Sequence, residues 1–154
     1  TKGYSMAGWR VGFAIGNENS ISALTKIKSY IDYGTFQPIQ IASTVAINDL
    51  DDYPKEVSSI YSERRSVAKE YLSKYGFAVQ ESNATMFVWA KMPNIYNNDS
   101  MKFSLDLLSK SNVAVSPGLG FGKFGEGYIR LALVENKQRT RQAMKNFIKI
   151  GHMI

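Results

Sequence analysis

Cysteine is absent from this chain of 154 residues, and histidine occurs once, at His152. The first absence excludes disulfide frameworks and thiolate metal sites. The second leaves a lone imidazole with no partner of metal-ligand spacing, so no metal is expected. No apolar run approaches the roughly 18 residues that a spanning helix needs. The opening residues carry neither the basic tract nor the apolar tract of a secretory leader. Acidic residues are the scarcer charge, 13 against 19 Lys and Arg, giving a net charge of +6. The basic residues are spread along helical segments and interleaved with acids, as in Glu63-Arg64-Arg65 and Lys69-Glu70. That pattern describes a solvated helical surface, so neither nucleic acid nor membrane is expected as a partner.

The length suits one compact domain and is too short for two ordinary ones. Along it, Val11 to Ile15 reads as a short buried strand between glycines, and Ser20 to Tyr30 as an amphipathic helix. Pro38 suits the first turn of a second helix, Ile39 to Asp49, whose Ala and Ile content predicts burial. The acidic stretch Asp49-Leu50-Asp51-Asp52 divides the chain into residues 1–50 and 51–154. Pro54 to Tyr75 carries an apolar stripe of period near 3.6 and is stopped by Gly76. Strands are expected at Phe77 to Gln80, Met86 to Lys91, Val113 to Ser116 and Tyr128 to Val134. A helix begins at Asp99 or Ser100 and runs to Lys110, and a last one spans Asn136 to Ile150, stopped by Gly151. The second region therefore predicts an α+β layer, a small sheet covered by helices on one face. The first has one strand and two helices, which cannot close a core alone, so a larger sheet is expected upstream.

Three residues stand out chemically. A lysine attacks an aldehyde only when unprotonated, so Lys2 needs burial near other positive charge, such as Arg10, to serve as a nucleophile. Its bland alternative is a mobile terminal side chain. Arg10 follows Trp9; a guanidinium is permanently charged and forked, which suits a phosphate dianion, or alternatively a strand-edge salt bridge. In Tyr128 to Val134 the residues Ile129, Leu131 and Leu133 share one face, and Tyr128, Arg130 and Ala132 share the other. A single arginine on the inner face of an apolar strand needs an anion. A substrate carboxylate would serve, as would an internal partner at Glu126 or Glu135. Tyr4, two positions from Lys2, would share its face on an extended segment. The glycine-dense stretch Gly118 to Gly127 lacks the context of a phosphate loop and reads as a flexible loop before a strand. Trp9 and Trp89 read as packing residues.

The opening Thr1-Lys2-Gly3-Tyr4-Ser5-Met6-Ala7-Gly8-Trp9-Arg10-Val11-Gly12 resembles the cofactor-lysine segment of class I/II (fold-type I) aminotransferases. Pro117-Gly118-Leu119-Gly120-Phe121-Gly122 and Gly125-Glu126-Gly127-Tyr128-Ile129-Arg130-Leu131 resemble that family's carboxylate-binding segment. The resemblance runs along essentially the whole chain. It implies the C-terminal part of the fold-type I α/β fold: residues 1–50 as a remnant of the large domain, residues 51–154 as the small α+β domain. It further implies pyridoxal phosphate held by Lys2 as a Schiff base, with Arg10 on the cofactor phosphate and Arg130 on the substrate α-carboxylate. The expected activity is amino transfer between an amino acid and a 2-oxo acid, by a cytoplasmic homodimer in amino-acid biosynthesis. The segment Thr35 to Gln40 resembles the stretch that reaches a neighbouring subunit, which nominates Phe36 and Gln37 as partner contacts. Between Tyr30 and Gln40 there is no arginine for a distal carboxylate. Asp32-Tyr33-Gly34 and Ala84 to Ala90 resemble the bacterial alanine and LL-diaminopimelate branch. The chain alone is expected to be inactive. A sibling lyase or synthase of the same fold, and a non-catalytic module derived from it, are the alternatives.

Overall fold

A computed structural model describes residues 2–94 and 96–150, and His152 and Gly151 lie outside them. The chain divides into two compact units, Thr1–Ser58 and Ser59–Ile154.

The first unit holds two helices. In α1 (Glu18–Ile31) the Asn17 side chain accepts hydrogen bonds from the N–H groups of Asn19 and Ser20, which are otherwise unpaired at a helix start. In α2 (Gln37–Asp49) Pro38 occupies the first turn, where its missing N–H costs nothing. Two expectations fail here. Residues 11–15 form no strand, and Phe13 and Ile15 are 78% and 86% exposed. Within α2 only Ala46 is buried, while Ile41, Val45 and Ile47 are exposed. The reason is common to both. An apolar run becomes a buried strand or helix only against a second surface, and a unit of this size has too little.

Helix α3 (Tyr53–Lys74) leads into the second unit. Its end is closed by Gly76 at φ +78°, with Phe77 N–H donating to the Leu72 carbonyl at 3.0 Å. This left-handed turn after the last helical residue is the position that favours glycine. Four strands follow: β1 (Ala78–Val79), β2 (Phe87–Lys91), β3 (Ser116–Pro117) and β4 (Tyr128–Ala132). They form one antiparallel sheet in the order β1-β2-β4-β3. The third strand is shorter and later than Val113 to Ser116. Helix α4 (Ser100–Ser111) is capped by the Asp99 carboxylate, which accepts from Lys102 N–H at 2.8 Å. Helix α5 (Lys137–Asn146) is capped by Asn136 and tightens into a 3-10 turn at Phe147–Ile150.

The core lies on one face of this sheet. Val88, Ala90, Ile129 and Leu131 project onto Ala68 and Leu72 of α3, Phe103 and Leu107 of α4, and Met144 of α5. Phe77 meets Phe103 and Phe147 edge to face at 5.7 and 6.1 Å. Such pairs add to the area term through the charge distribution of the rings. Helices on one face leave the other face of the sheet open, and that face carries Arg130.

Candidate functional site

In the first unit the lysine segment is a pair of turns rather than an extended strand. Ser5, at φ +52°, donates its N–H to the Lys2 carbonyl at 3.3 Å. A 3-10 turn follows at Ala7–Trp9. Arg10 ends it in the left-handed region, φ 50° and ψ 47°, and its Nη1 donates to the Ala7 carbonyl at 3.1 Å. A cation bonded to the last carbonyls of a turn satisfies groups left unpaired there. Because the segment turns, Tyr4 does not follow the alternation of an extended chain; its ring stacks on Tyr53 at 6.4 Å. Lys2 and Arg10 are exposed, so the burial expected to free the lysine amine is not supplied by the residues of this chain. Trp9 is 46% exposed rather than packed. Phe36, 70% exposed, is the N-cap residue of α2 and Gln37 begins the helix.

In the second unit the alternation of β4 is as expected, but the assignment of faces is reversed. Ile129 and Leu131 are buried under the helices, whereas Arg130 is half-buried on the open face. Its strand neighbours are Trp89 on one side and Ser116 on the other. The guanidinium is flanked by two rings: its Cζ lies 4.3 Å from the centroid of Phe87 and 4.3 Å from that of Phe121. Among the described residues its one polar contact is long, Nη2 donating to Ser116 Oγ at 3.4 Å, and Nε is buried with no hydrogen-bond partner. Among the described residues no carboxylate pairs with it. Glu126, one of the internal partners considered, accepts instead from Ser100 N–H at 2.7 Å and Gly127 N–H at 3.2 Å. Hydrogen bonding from Ser100, through its side chain and then its N–H, holds the Glu126 carboxyl below the usual glutamate value.

The loop before β4 is built rather than flexible. It folds into two short 3-10 turns, Gly118–Phe121 and Lys123–Gly125. Leu119 N–H donates to Ser100 Oγ at 3.2 Å, tying the loop to the start of α4. Trp89 packs its edge on Phe121 at 5.4 Å and stacks on Tyr128 at 5.4 Å. The open face thus presents aromatic rings around one cation with unmet donors. Phe87 and Phe121 are the site residues that sequence reasoning missed. The two-residue spacing from Phe87 to Trp89 places them on one strand face, a usable signal; nothing periodic marks Phe121. Among the described residues no group of three or more His, Cys, Asp or Glu gathers as a metal set. No helix among them is long and apolar enough to cross a membrane.

The second unit is thus a one-sided antiparallel layer with an arginine short of partners on its open face. The sequence profile of class I and II aminotransferases matches residues 1–147, and the chain belongs to that family. It is 46% identical over 145 residues to an LL-diaminopimelate aminotransferase of Natranaerobius thermophilus, covering 94% of this chain and 37% of that protein. It is 44% identical over 146 residues to the glutamate-pyruvate aminotransferase AlaC of Escherichia coli K12, covering 94% and 35%. The solved structure of an aminotransferase from Staphylococcus aureus superposes with a TM-score of 0.85 at 33% identity, covering 94% of this chain and 38% of that one. The chain therefore spans little more than a third of the length of these relatives. Their fold is the fold-type I fold, of which the small antiparallel sheet and its helices form the C-terminal part.

Aminotransferases of this class depend on pyridoxal phosphate. The donor set of the first unit fits that group: a primary amine at Lys2 suits an aldehyde, and the forked cation at Arg10 suits a phosphate.

Proposed function

We propose that this chain supplies the cofactor lysine, one phosphate ligand and the carboxylate-binding arginine of a longer aminotransferase. In that protein pyridoxal phosphate, when bound, supplies the electron sink for bond-breaking at the substrate α-carbon. Lys2 would hold the cofactor through its Nζ, and the same amine would carry the proton at the substrate Cα. Arg10 binds the cofactor phosphate with a charge that does not titrate. Arg130 would receive the substrate α-carboxylate and orient the substrate through it. The substrates are an amino acid and a 2-oxo acid, of the alanine or LL-diaminopimelate type. Phe36 and Gln37 face the site of a second copy in a homodimer. The protein is cytoplasmic and serves amino-acid biosynthesis, with no membrane or nucleic-acid partner. Residues 1–50 belong to the large domain of the whole protein and residues 51–154 form its small domain.

The observation that carries this reading is the Arg130 guanidinium, held on the open face of the sheet with a buried Nε lacking a partner and, among the described residues, no carboxylate paired with it. A guanidinium short of partners is costly, and a bidentate anion at its open nitrogen edge is the ligand that suits its fork best. The test is reduction of the full-length, cofactor-loaded protein with borohydride, followed by peptide mapping. Label on Lys2 supports the reading, and label on another lysine overturns it. Turnover of L-alanine with 2-oxoglutarate by the 154-residue chain alone would contradict the expectation that this part is inactive by itself.

A further inference from the structure

The polar surroundings of Arg130 do not explain how its long side chain keeps one position. One contact at 3.4 Å to Ser116 is too long to orient a guanidinium. The neighbours that touch it closely are rings, Phe87 from β2 and Phe121 from the loop, each centred 4.3 Å from Cζ. We infer that Phe87 and Phe121 are positioning residues: they clamp the Arg130 guanidinium so that it meets a carboxylate at its nitrogen edge, and they set the affinity for that carboxylate. The inference rests on the reading of Arg130 as the carboxylate ligand.

Three observations support the clamp. Rings over a cation attract it and exclude water from its faces, leaving hydrogen bonding to the edge. Arg130 Nε is already buried without a protein partner. The loop carrying Phe121 is itself held in place. Gly118 and Gly125 pack backbone on backbone, Leu119 is tied to Ser100, and Glu126 is bonded to Ser100 and Gly127. Trp89, the strand neighbour of Arg130, packs edge to face on Phe121 at 5.4 Å. A side chain ordered before binding loses less entropy when the ligand arrives. Phe121 is 50% exposed, so its place is not explained by core packing.

The test uses the full-length, cofactor-loaded protein in five forms: unaltered, Phe121→Leu, Phe87→Leu, Phe121→Tyr and Arg130→Lys. Steady-state constants are measured for L-alanine, and the reaction rate is measured for ethylamine, an amine without a carboxylate. The leucine variants are expected to raise KM for L-alanine about tenfold with kcat changed less than about twofold, since a desolvated cation–ring contact is lost. Phe121→Tyr, which keeps the ring, should stay within about twofold of the unaltered protein. In the leucine variants the loss of kcat/KM for L-alanine should exceed any loss of the ethylamine rate. If Arg130→Lys raises KM for L-alanine and the leucine variants do not, the clamp is wrong and the role of Arg130 stands. If Arg130→Lys also leaves KM unchanged, the role of Arg130 fails and the clamp falls with it. A matching loss with ethylamine would show general damage to the site and would overturn the clamp as well.

Discussion

Gly118 and Gly125 meet backbone to backbone across the loop before β4. A Cβ added to Gly118 would lie 1.9 Å from the Gly125 carbonyl oxygen, and one added to Gly125 would lie 2.1 Å from the Gly118 oxygen. Neither distance is compatible with a side chain, and the obstacle is backbone that cannot swing aside. This contact closes the loop that carries Phe121 towards Arg130. Gly118→Ala or Gly125→Ala is therefore expected to destabilise the protein by about 1–3 kcal/mol, the usual cost of forcing atoms into a packed site. Gly120→Ala, which meets nothing within 4 Å, should fall within about 0.5 kcal/mol. Denaturant midpoints for the three variants check the contrast.

Glu126 provides an acid-side prediction. Its folded value is depressed by the hydrogen bonds from Ser100 and Gly127, below the reference of 4.5. A depressed carboxylate contributes stability that is present above its unfolded value and lost as pH falls through its folded value. Glu126→Gln should lower the midpoint at neutral pH and flatten its fall below pH 4.5. Denaturant unfolding across the acid range would show it, and an unchanged acid slope would remove Glu126 from the account.

Tyr96 works in the opposite direction. Burial first, then its hydrogen bond to Asp106, pushes the phenol up to about 12 from 10.0. The hydroxyl donates to Asp106 Oδ2 at 2.7 Å. A raised group contributes stability that is complete below its unfolded value and is lost as pH rises through the folded one. Tyr96→Phe should flatten the alkaline fall in stability between about pH 10 and 12. The near-ultraviolet titration should also lose a late-titrating tyrosine in the variant, while Tyr75, which burial also pushes up, remains in both.

The aromatic core should respond as a packed interior does. Phe103 is fully buried between Phe77 and Tyr96, at 5.7 and 5.6 Å. Phe103→Ala should cost about 3–5 kcal/mol through lost burial and the cavity left behind. Phe124, 89% exposed, should tolerate alanine within about 0.5 kcal/mol. Thermal unfolding of the two variants distinguishes them.

Local signals carried most of the second unit. Asp99 and Asn136 cap α4 and α5 because a carboxylate or amide oxygen reaches the N–H three residues on, as Lys102 and Arg139 show. Gly76 ends α3 because glycine takes the left-handed conformation, φ +78°, without the strain a side chain would bring. The motifs around Lys2, Arg10 and Arg130 were legible for the same reason, being contiguous. The first unit was less legible. Residues 11–15 and the apolar side chains of α2 look buried in composition, but burial is a property of two surfaces and the sequence displays one.

The alternation in β4 determined that Arg130 and Ile129 face opposite ways. It could not say which face the helices would cover, because period two is symmetric between them. Only the packing of α3, α4 and α5 onto Val88, Ala90, Ile129 and Leu131 decided that, and left Arg130 on the open side. Phe121 reached Arg130 by tertiary structure alone. The two residues are joined across a loop whose course depends on backbone contact between glycines, and glycine has no side chain with which to announce a partner.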